Sequence, residues 1–335
     1  MNQTFLIIDT NHLFWRARHS VQGDDSEKAE MCVHVMMNIL YKTWNLHHAN
    51  HVVFCFDGYS WRKDIYIPYK ATRLKPNKSV QEIEEQKIFS EAFKEFKNFL
   101  IEKTNVTVLC EESLESDDLI AGFIENHPND KHIIVSGDGD FIQLLKHNVI
   151  IFDGIQDRTI TSEGIFDRKG NLLKDKKTGE PLPKPDPEWS IFEKCIRGCT
   201  SDNIFSAYPG VRKKGSKNKV GLLEAYEDRN KQGFNWNALM LHRWMDHNGI
   251  EHRVIDDYKR NRMLIDLKEQ PSEIKENINK AVTNNSVYKK MPNVGINFLK
   301  FCKKFDLRRI ENMANSYVPI FNSAYPYQNN LKISL

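Results

Sequence analysis

Glu111-Glu-Ser-Leu-Glu115-Ser-Asp117-Asp118-Leu-Ile-Ala-Gly-Phe-Ile124, and after a polar break Lys131-His-Ile-Ile-Val-Ser136-Gly-Asp138-Gly-Asp140-Phe-Ile-Gln-Leu144, is the stretch that decides the fold. The first half predicts a helix that opens with Glu115, Asp117 and Asp118. The second predicts a buried strand, His132 to Val135, that stops at Gly137 and presents Asp138 and Asp140. Like charges brought together raise one another's pKa unless a cation compensates, and hard oxygen ligands suit Mg²⁺ or Mn²⁺. A plainer reading exists. Acids in a helix's first turn complement the macrodipole, and Gly-Asp-Gly is ordinary turn chemistry. Alone, the stretch does not separate the two.

Working outward, the same grammar recurs. Phe5 to Ile8 is a short continuous apolar run that ends in Asp9, and His51 to Phe56 is another, followed by Asp57 and Gly58. Such runs predict central parallel strands covered on both faces. Helical patterns lie between them, over 26–46 (Val33, Met36, Met37, Leu40 and Trp44 on one face) and over 79–103 (Ile83, Phe89, Phe93, Phe96 and Leu100 as its core side). Strand, helix, strand predicts an α/β domain with a mainly parallel sheet, in which ligands sit beyond the strands' carboxyl ends. One strand-end aspartate is usually a cap. Three, together with an acidic helix start, point to a carboxylate-lined metal cleft.

Bulk properties fit an intracellular globular protein with one large or two modest domains. The chain has 335 residues, is 40% hydrophobic and carries a formal charge of only +3, so any basic surface must come from uneven distribution. Six scattered cysteines predict reduced thiols and no disulfide scaffold, and Cys195 and Cys199 lack the second pair a zinc knuckle needs. Phe5-Leu-Ile-Ile, broken by Asp9, is too short for a signal or membrane segment.

The segment after Asp57 mixes Arg62, Lys63, Lys70, Arg73, Lys75 and Lys78 with Trp61, Tyr66 and Tyr69. Cations interleaved with aromatics suit a phosphate backbone with stackable bases, whereas a solvated loop is the default for any basic run. Residues 149–153 read as another strand and 154–186 as a hairpin or mobile insertion, with turns at Lys169-Gly170-Asn171 and Thr178-Gly179. Asp186-Pro187 opens a helix that stops at Gly198. Pro209 to Val220, with Arg212, Lys213, Lys214, Lys217 and Lys219 ahead of a helical run 221–226, suggests a backbone-phosphate grip. From about Asn235, helical patterns alternate with polar connectors, ending in a loose tail over 322–335.

In order, Ile-Ile-Asp9-Thr-Asn, Phe-Cys-Phe-Asp57, Trp-Arg62…Tyr69-Lys70…Arg73, Glu115-Ser-Asp117-Asp118, Ser136-Gly-Asp138-Gly-Asp140 and Ser201-Asp202-Asn203-Ile resemble the 5′-nuclease superfamily. That family holds flap endonucleases, the 5′–3′ exonuclease parts of bacterial DNA polymerases, and phage ribonuclease H enzymes. The phage ribonuclease H type is the one the chain resembles most. The resemblance spans roughly residues 5–225 and implies an α/β core over 1–186, with a basic arch at about 58–103. It implies a mostly helical duplex-binding region over 187–335 with a helix–turn–helix-like DNA-holding motif.

The resemblance further implies a two-metal phosphodiesterase. Asp9, Asp57, Glu115 and Asp117 would hold one Mg²⁺, and Asp138 and Asp140, helped by Asp118 and Asp202, a second, with Mn²⁺ as substitute. Lys70 and Arg73 would contact the scissile phosphate with Arg62 assisting, the 209–220 loop would hold the duplex around K⁺, and Phe14 or Trp15 would stack on a terminal base pair or fill the core. Substrates would be DNA with 5′ flaps, nicks or ends and RNA·DNA hybrids, for primer removal in replication. A single-strand-binding protein is an implied partner, and a monomer the implied state. One departure stands out: Cys199 occupies the position of a family aspartate, and a thiolate is a poor Mg²⁺ ligand. That motivates an alternative, a branched-DNA-binding protein whose catalysis has decayed. A third reading, a toxin-like ribonuclease, fits poorly because such chains lack the basic arch and the 209–220 loop.

Overall fold

The apolar runs do form the centre of one sheet. The structure is a computed structural model that describes residues 2–22, 24–73, 79–217 and 219–327. Its strands are β1 (Thr4–Asp9), β2 (His51–Phe56), β3 (Thr107–Cys110), β4 (Lys131–Val135), β5 (Val149–Asp153), β6 (Arg158–Thr161) and β7 (Gly164–Asp167). They lie in the order β3-β2-β1-β4-β5-β6-β7, parallel from β3 through β5 and antiparallel at β6 and β7. Phe5, Leu6, Ile7, Val52, Val53, Ile133 and Ile134 have no exposed surface, as a sheet covered on both faces requires. The chain builds outward from β1 to β3 and then returns to the other side of β1 with β4. The strand order therefore reverses between β1 and β4, where an open α/β sheet has its crevice.

Helices cover the sheet. Asp25–His47 is capped by Asp24, whose carboxylate accepts the Glu27 N–H at 2.9 Å, and buries Val33, Met36, Met37 and Leu40. Val80–Lys103 starts from a reciprocal capping box between Ser79 and Glu82 and buries Phe89, Phe96 and Leu100. Ile83, expected on its core side, is 54% exposed, because the first two turns of this helix run through solvent-facing positions. The 154–186 segment is the expected hairpin, and β6 and β7 extend the sheet. Gly170 and Gly179 take left-handed φ values of 80° and 73° at the expected turns.

Two compact units emerge, and their division differs from the expected break at 186. The first comprises 1–59, 77–185 and 275–335; the second comprises 60–76 and 186–274. Residues 275–327 thus return to the sheet unit. Phe298, Phe301 and Phe321 pack with Phe96 and Phe99, the Phe99 and Phe301 rings stacking 4.3 Å apart, and each buried Phe contributes on the order of 2–3 kcal/mol. The backbone carbonyl of Ser323 is hydrogen-bonded to His51 Nδ1 at 2.9 Å. Residues 322–327 are therefore docked rather than loose, and the rest of the expected tail lies outside the described residues.

The second unit has its own core of Phe192, Ile196, Leu222, Leu239 and Tyr258. Its helices Pro187–Arg197, Leu222–Asp228, Phe234–Met240 and Val254–Ile265 surround it, with a small hairpin of β8 (Arg243–Met245) and β9 (Glu251–Arg253). Tyr69 belongs to this core, which explains why 60–76 groups here. All six cysteines are free thiols. Among the described residues no helix is long and apolar enough to cross a membrane.

Candidate active site

The site of the sheet unit starts at the reversal point. β1 delivers Asp9 as its last residue, and Asp9 is also the N-cap of the helix Thr10–Arg18, accepting the His12 N–H at 3.4 Å. Only 3% of Asp9 is exposed. Its Oδ1 accepts from Ser116 Oγ at 3.0 Å and its Oδ2 from Ser136 Oγ at 2.9 Å. Burial pushes its pKa up from 3.8 to about 7, helped by the charges of Asp57 and Asp138 and opposed by the two serine hydrogen bonds.

Ser116 is the hinge of the arrangement. It opens the helix Ser116–Asn126, and its backbone N–H donates to Asp57 Oδ1 at 2.8 Å while its hydroxyl holds Asp9. Asn11 Oδ1 accepts the Asp57 N–H at 3.0 Å. Gly58 explains how the chain after β2 comes so close. Its N–H donates to Leu114 O at 2.8 Å, and a Cβ there would lie 2.0 Å from Glu111 O and 2.7 Å from Glu112 O. Only glycine permits that approach. Along the helix start, Glu115 is buried, Asp117 half-buried and Asp118 fully buried. Asp118 Oδ2 accepts the Glu115 N–H at 3.3 Å, so this carboxylate, expected at the second metal, serves as part of the helix cap.

β4 supplies the other side. Ser136 Oγ accepts the Asp138 N–H at 3.1 Å, and Asp138 Oδ1 accepts the Asp140 N–H at 2.9 Å. His12 Nδ1 stands 4.0 Å from Asp138 Oδ2. Burial lowers the His12 pKa and the Asp138 charge opposes the shift. Asp153, which closes β5, is a fourth strand-end aspartate, 1% exposed and ion-paired with Arg158 at 3.4 Å. Sequence reading passed over Ser116, Ser136, His12 and Asp153. The repeated strand-then-aspartate pattern could have flagged Asp153; serine and histidine carry no such mark. Asp9, Asp57 and Asp138 are tied together by two serines. Among the described residues, however, no three His, Cys, Asp or Glu side chains form a ready-made metal-ligand group.

The remaining expected residues lie in the second unit. Asp202 Oδ1 accepts from Arg73 Nη2 at 2.8 Å and faces Lys70 Nζ at 3.9 Å. Lys70 has a left-handed φ of 52°, its N–H donates to Asp202 O at 2.8 Å, and Asn203 Nδ2 donates to Pro68 O at 2.8 Å. The basic segment is thereby knitted to 199–204, and the Cys199 thiol lies 3.7 Å from Asp202 Oδ2. Arg62 is a correction. It is 3% exposed, donates from Nε to Leu264 O at 2.8 Å and lies over the Trp61 ring, so it is an interior cation and not a surface contact. Trp61 and Tyr69 are buried and unavailable to bases. Phe14, in the first unit, is fully buried in the core.

In the 209–220 loop, Arg212, Lys213, Lys214, Lys217 and Lys219 are exposed. Two backbone donors at its base already have an acceptor: Glu224 Oε2 accepts the N–H groups of Gly215 and Gly221, each at 3.0 Å. A Cβ at Gly215 or Gly221 would lie 2.5 or 2.4 Å from backbone. The expected anion grip is thus filled by the protein's own carboxylate. Lys75 and Lys78 lie outside the described residues.

Residues 4–170 match the family model of the 5′-3′ exonuclease N-terminal resolvase-like domain. The chain is 28% identical over 239 residues to the flap endonuclease Xni of Psychromonas ingrahamii, covering 69% of this chain and 80% of that one. To the 5′-3′ exonuclease of Buchnera aphidicola it is 25% identical over 234 residues, covering 67% and 70%. Its fold is similar to that of a bacteriophage T5 flap endonuclease in a pseudo-enzyme-product complex with DNA and metal ions. That likeness has a TM-score of 0.57 at 17% identity, covering 84% of this chain and 98% of that chain. A sheet that gathers Asp9, Asp57 and Asp138 at its reversal point, and a family match over the residues that build it, lead to one conclusion: the chain belongs to the 5′-nuclease superfamily, the nucleases of flap-endonuclease and 5′–3′ exonuclease type.

Proposed function

We propose that the chain is a divalent-metal-dependent 5′ nuclease that hydrolyses phosphodiesters at 5′ flaps, nicks and ends of DNA and in RNA·DNA hybrids, serving primer removal. The observation that carries the reading is Asp9: a carboxylate 3% exposed, linked through Ser116 and Ser136 to Asp57 and Asp138, with its pKa raised to about 7. Such a group lacks positive charge, and the donors around it are hard carboxylate oxygens suited to Mg²⁺ or Mn²⁺.

We assign Asp9, Asp57, Glu115 and Asp117 to one cation and Asp138 and Asp140 to a second. When bound, the metals supply an activated water and offset charge on the departing 3′ oxygen. The chain's own residues do the rest. Ser116 and Ser136 fix both oxygens of Asp9, and the Asn11 and Gly58 contacts fix the chain at Asp57. Lys70 and Arg73 are the cations we assign to the scissile phosphate, which would take the place that Asp202 Oδ1 now holds. Asp202 then positions these cations and does not ligate metal.

The pairing of Asp202 with Arg73, beside the Cys199 thiol, also favours the second reading, a branched-DNA binder without turnover. A flap duplex bound in EDTA and then given Mg²⁺ or Mn²⁺ separates the two. Cleavage near the junction on metal addition supports the nuclease. Stable binding with no product supports the binder.

A further inference from the structure

Three buried polar atoms beside the cleft have no hydrogen-bond partner among the described residues: His12 Nε2, Asp153 Oδ2 and Arg158 Nε. They form a line. Arg158 Nη2 is 3.4 Å from Asp153 Oδ2, an ion pair without hydrogen-bond geometry. Asp153 and His12 meet at Gly137, where a Cβ would lie 3.3 Å from His12 Nε2 and 3.4 Å from Asp153 Oδ1. The other end of the imidazole faces Asp138, with Nδ1 4.0 Å from Oδ2. Asp138 Oδ1 is already held by the Asp140 N–H, and Oδ2 is the oxygen that His12 Nδ1 faces.

We infer that His12 is a positioning residue for Asp138, with Nδ1 as the donor that fixes the direction of Oδ2 and the wall of Gly137 and Asp153 holding the ring behind it. A distance of 4.0 Å is too long for a hydrogen bond, so the contact is poised and closes when Asp138 is drawn into a fixed orientation. Carboxylates that ligate metals are themselves held by outer hydrogen bonds, and loss of such a partner weakens metal affinity by about 10- to 100-fold. The arrangement also gives Gly137 a reason: a side chain there would wedge between the ring and Asp153. The charges around the ring are those of Asp138, Arg16, Asp153 and Asp57.

The inference rests on the reading that Asp138 binds a divalent cation, and the experiment separates the two. Mn²⁺ binding to the full chain without DNA is measured by titration calorimetry and by the spin signal of unbound Mn²⁺. The proteins are wild type, Asp138→Asn, His12→Phe, His12→Asn and His12→Gln, each with its unfolding temperature in EDTA. An Asn amide nitrogen takes the place of Nδ1, and a Gln amide nitrogen that of Nε2. The expected result is a weakening of about tenfold or more in His12→Phe and His12→Gln, with His12→Asn restored to within about threefold of wild type. If Asp138→Asn binds Mn²⁺ as wild type does, the metal reading itself fails. If Asp138→Asn loses an ion while His12→Phe retains wild-type affinity, or if His12→Asn is as weak as His12→Phe, the role of His12 is overturned.

Discussion

Replacing Asp9 by Asn should make the metal-free protein more stable, and increasingly so as pH rises. The folded Asp9 carboxyl titrates near 7 against an ordinary 3.8, a difference of about 3 units at about 1.4 kcal/mol each. Because the pKa is raised, the folded state holds a proton that the unfolded chain has released. The stability tied to that proton is intact below about 3.8, erodes as pH rises, and is gone above about 7. The erosion is on the order of 2 kcal/mol at pH 5 and on the order of 4 kcal/mol at pH 8. Asn is neutral in both states and escapes it. Its oxygen still accepts from Ser116, and its nitrogen can donate to Ser136 Oγ in place of the bond Asp9 Oδ2 now receives. The stability gap between Asp9→Asn and wild type should therefore widen by roughly 2–3 kcal/mol from pH 5 to pH 8. Urea unfolding in EDTA at the two pH values measures it. A gap that stays constant, or a variant less stable than wild type at pH 8, would refute the claim that Asp9 is a buried charge without a counter-ion.

Other substitutions test the supporting geometry. Gly58→Ala pushes a Cβ to 2.0 Å from the Glu111 carbonyl oxygen and 2.7 Å from that of Glu112, so it should cost about 2 kcal/mol or more and lower cleavage by displacing Asp57; wild-type stability in thermal unfolding would show the loop to be pliant. Arg62→Met leaves the Leu264 carbonyl without its buried donor and should destabilise by roughly 2 kcal/mol. The salt dependence of its DNA binding should match wild type, and a reduced slope would return Arg62 to the nucleic-acid interface. Glu224→Ala frees the N–H groups of Gly215 and Gly221 and removes a negative charge beside the basic loop, so duplex binding in EDTA should strengthen by about twofold or more. Unchanged affinity would separate the loop from DNA holding.

Much of the fold was legible because its decisive strands are unambiguous. Continuous runs such as Phe5–Ile8 and His51–Phe56 read as central strands, and an aspartate directly follows each. What escaped depends on partners distant in sequence. β3 is four residues long and gains its identity only by pairing with β2. The return of 275–327 to the sheet unit is written in Phe298, Phe301 and Phe321, whose apolar spacing says that they are buried but not against what. Within the site, aspartates at strand ends announce themselves, whereas Ser116 and Ser136 do so only once the strands bring Asp9 between them. Composition misled for Arg62, Trp61 and Tyr69. A basic aromatic segment reads as a surface, yet these three side chains are interior, because a segment this rich in aromatics also has a core to fill.

The most direct test is single-turnover cleavage of a 3′-labelled duplex bearing a 5′ flap, comparing wild type with Asp9→Asn, Asp57→Asn and Asp138→Asn in Mg²⁺, Mn²⁺ and EDTA. The account predicts metal-dependent cleavage near the flap junction by wild type, a fall of at least about a hundredfold in each variant, and flap binding in EDTA within about threefold of wild type. Cleavage that persists in EDTA, or that survives loss of Asp138, would contradict a carboxylate metal centre at the reversal point of the sheet.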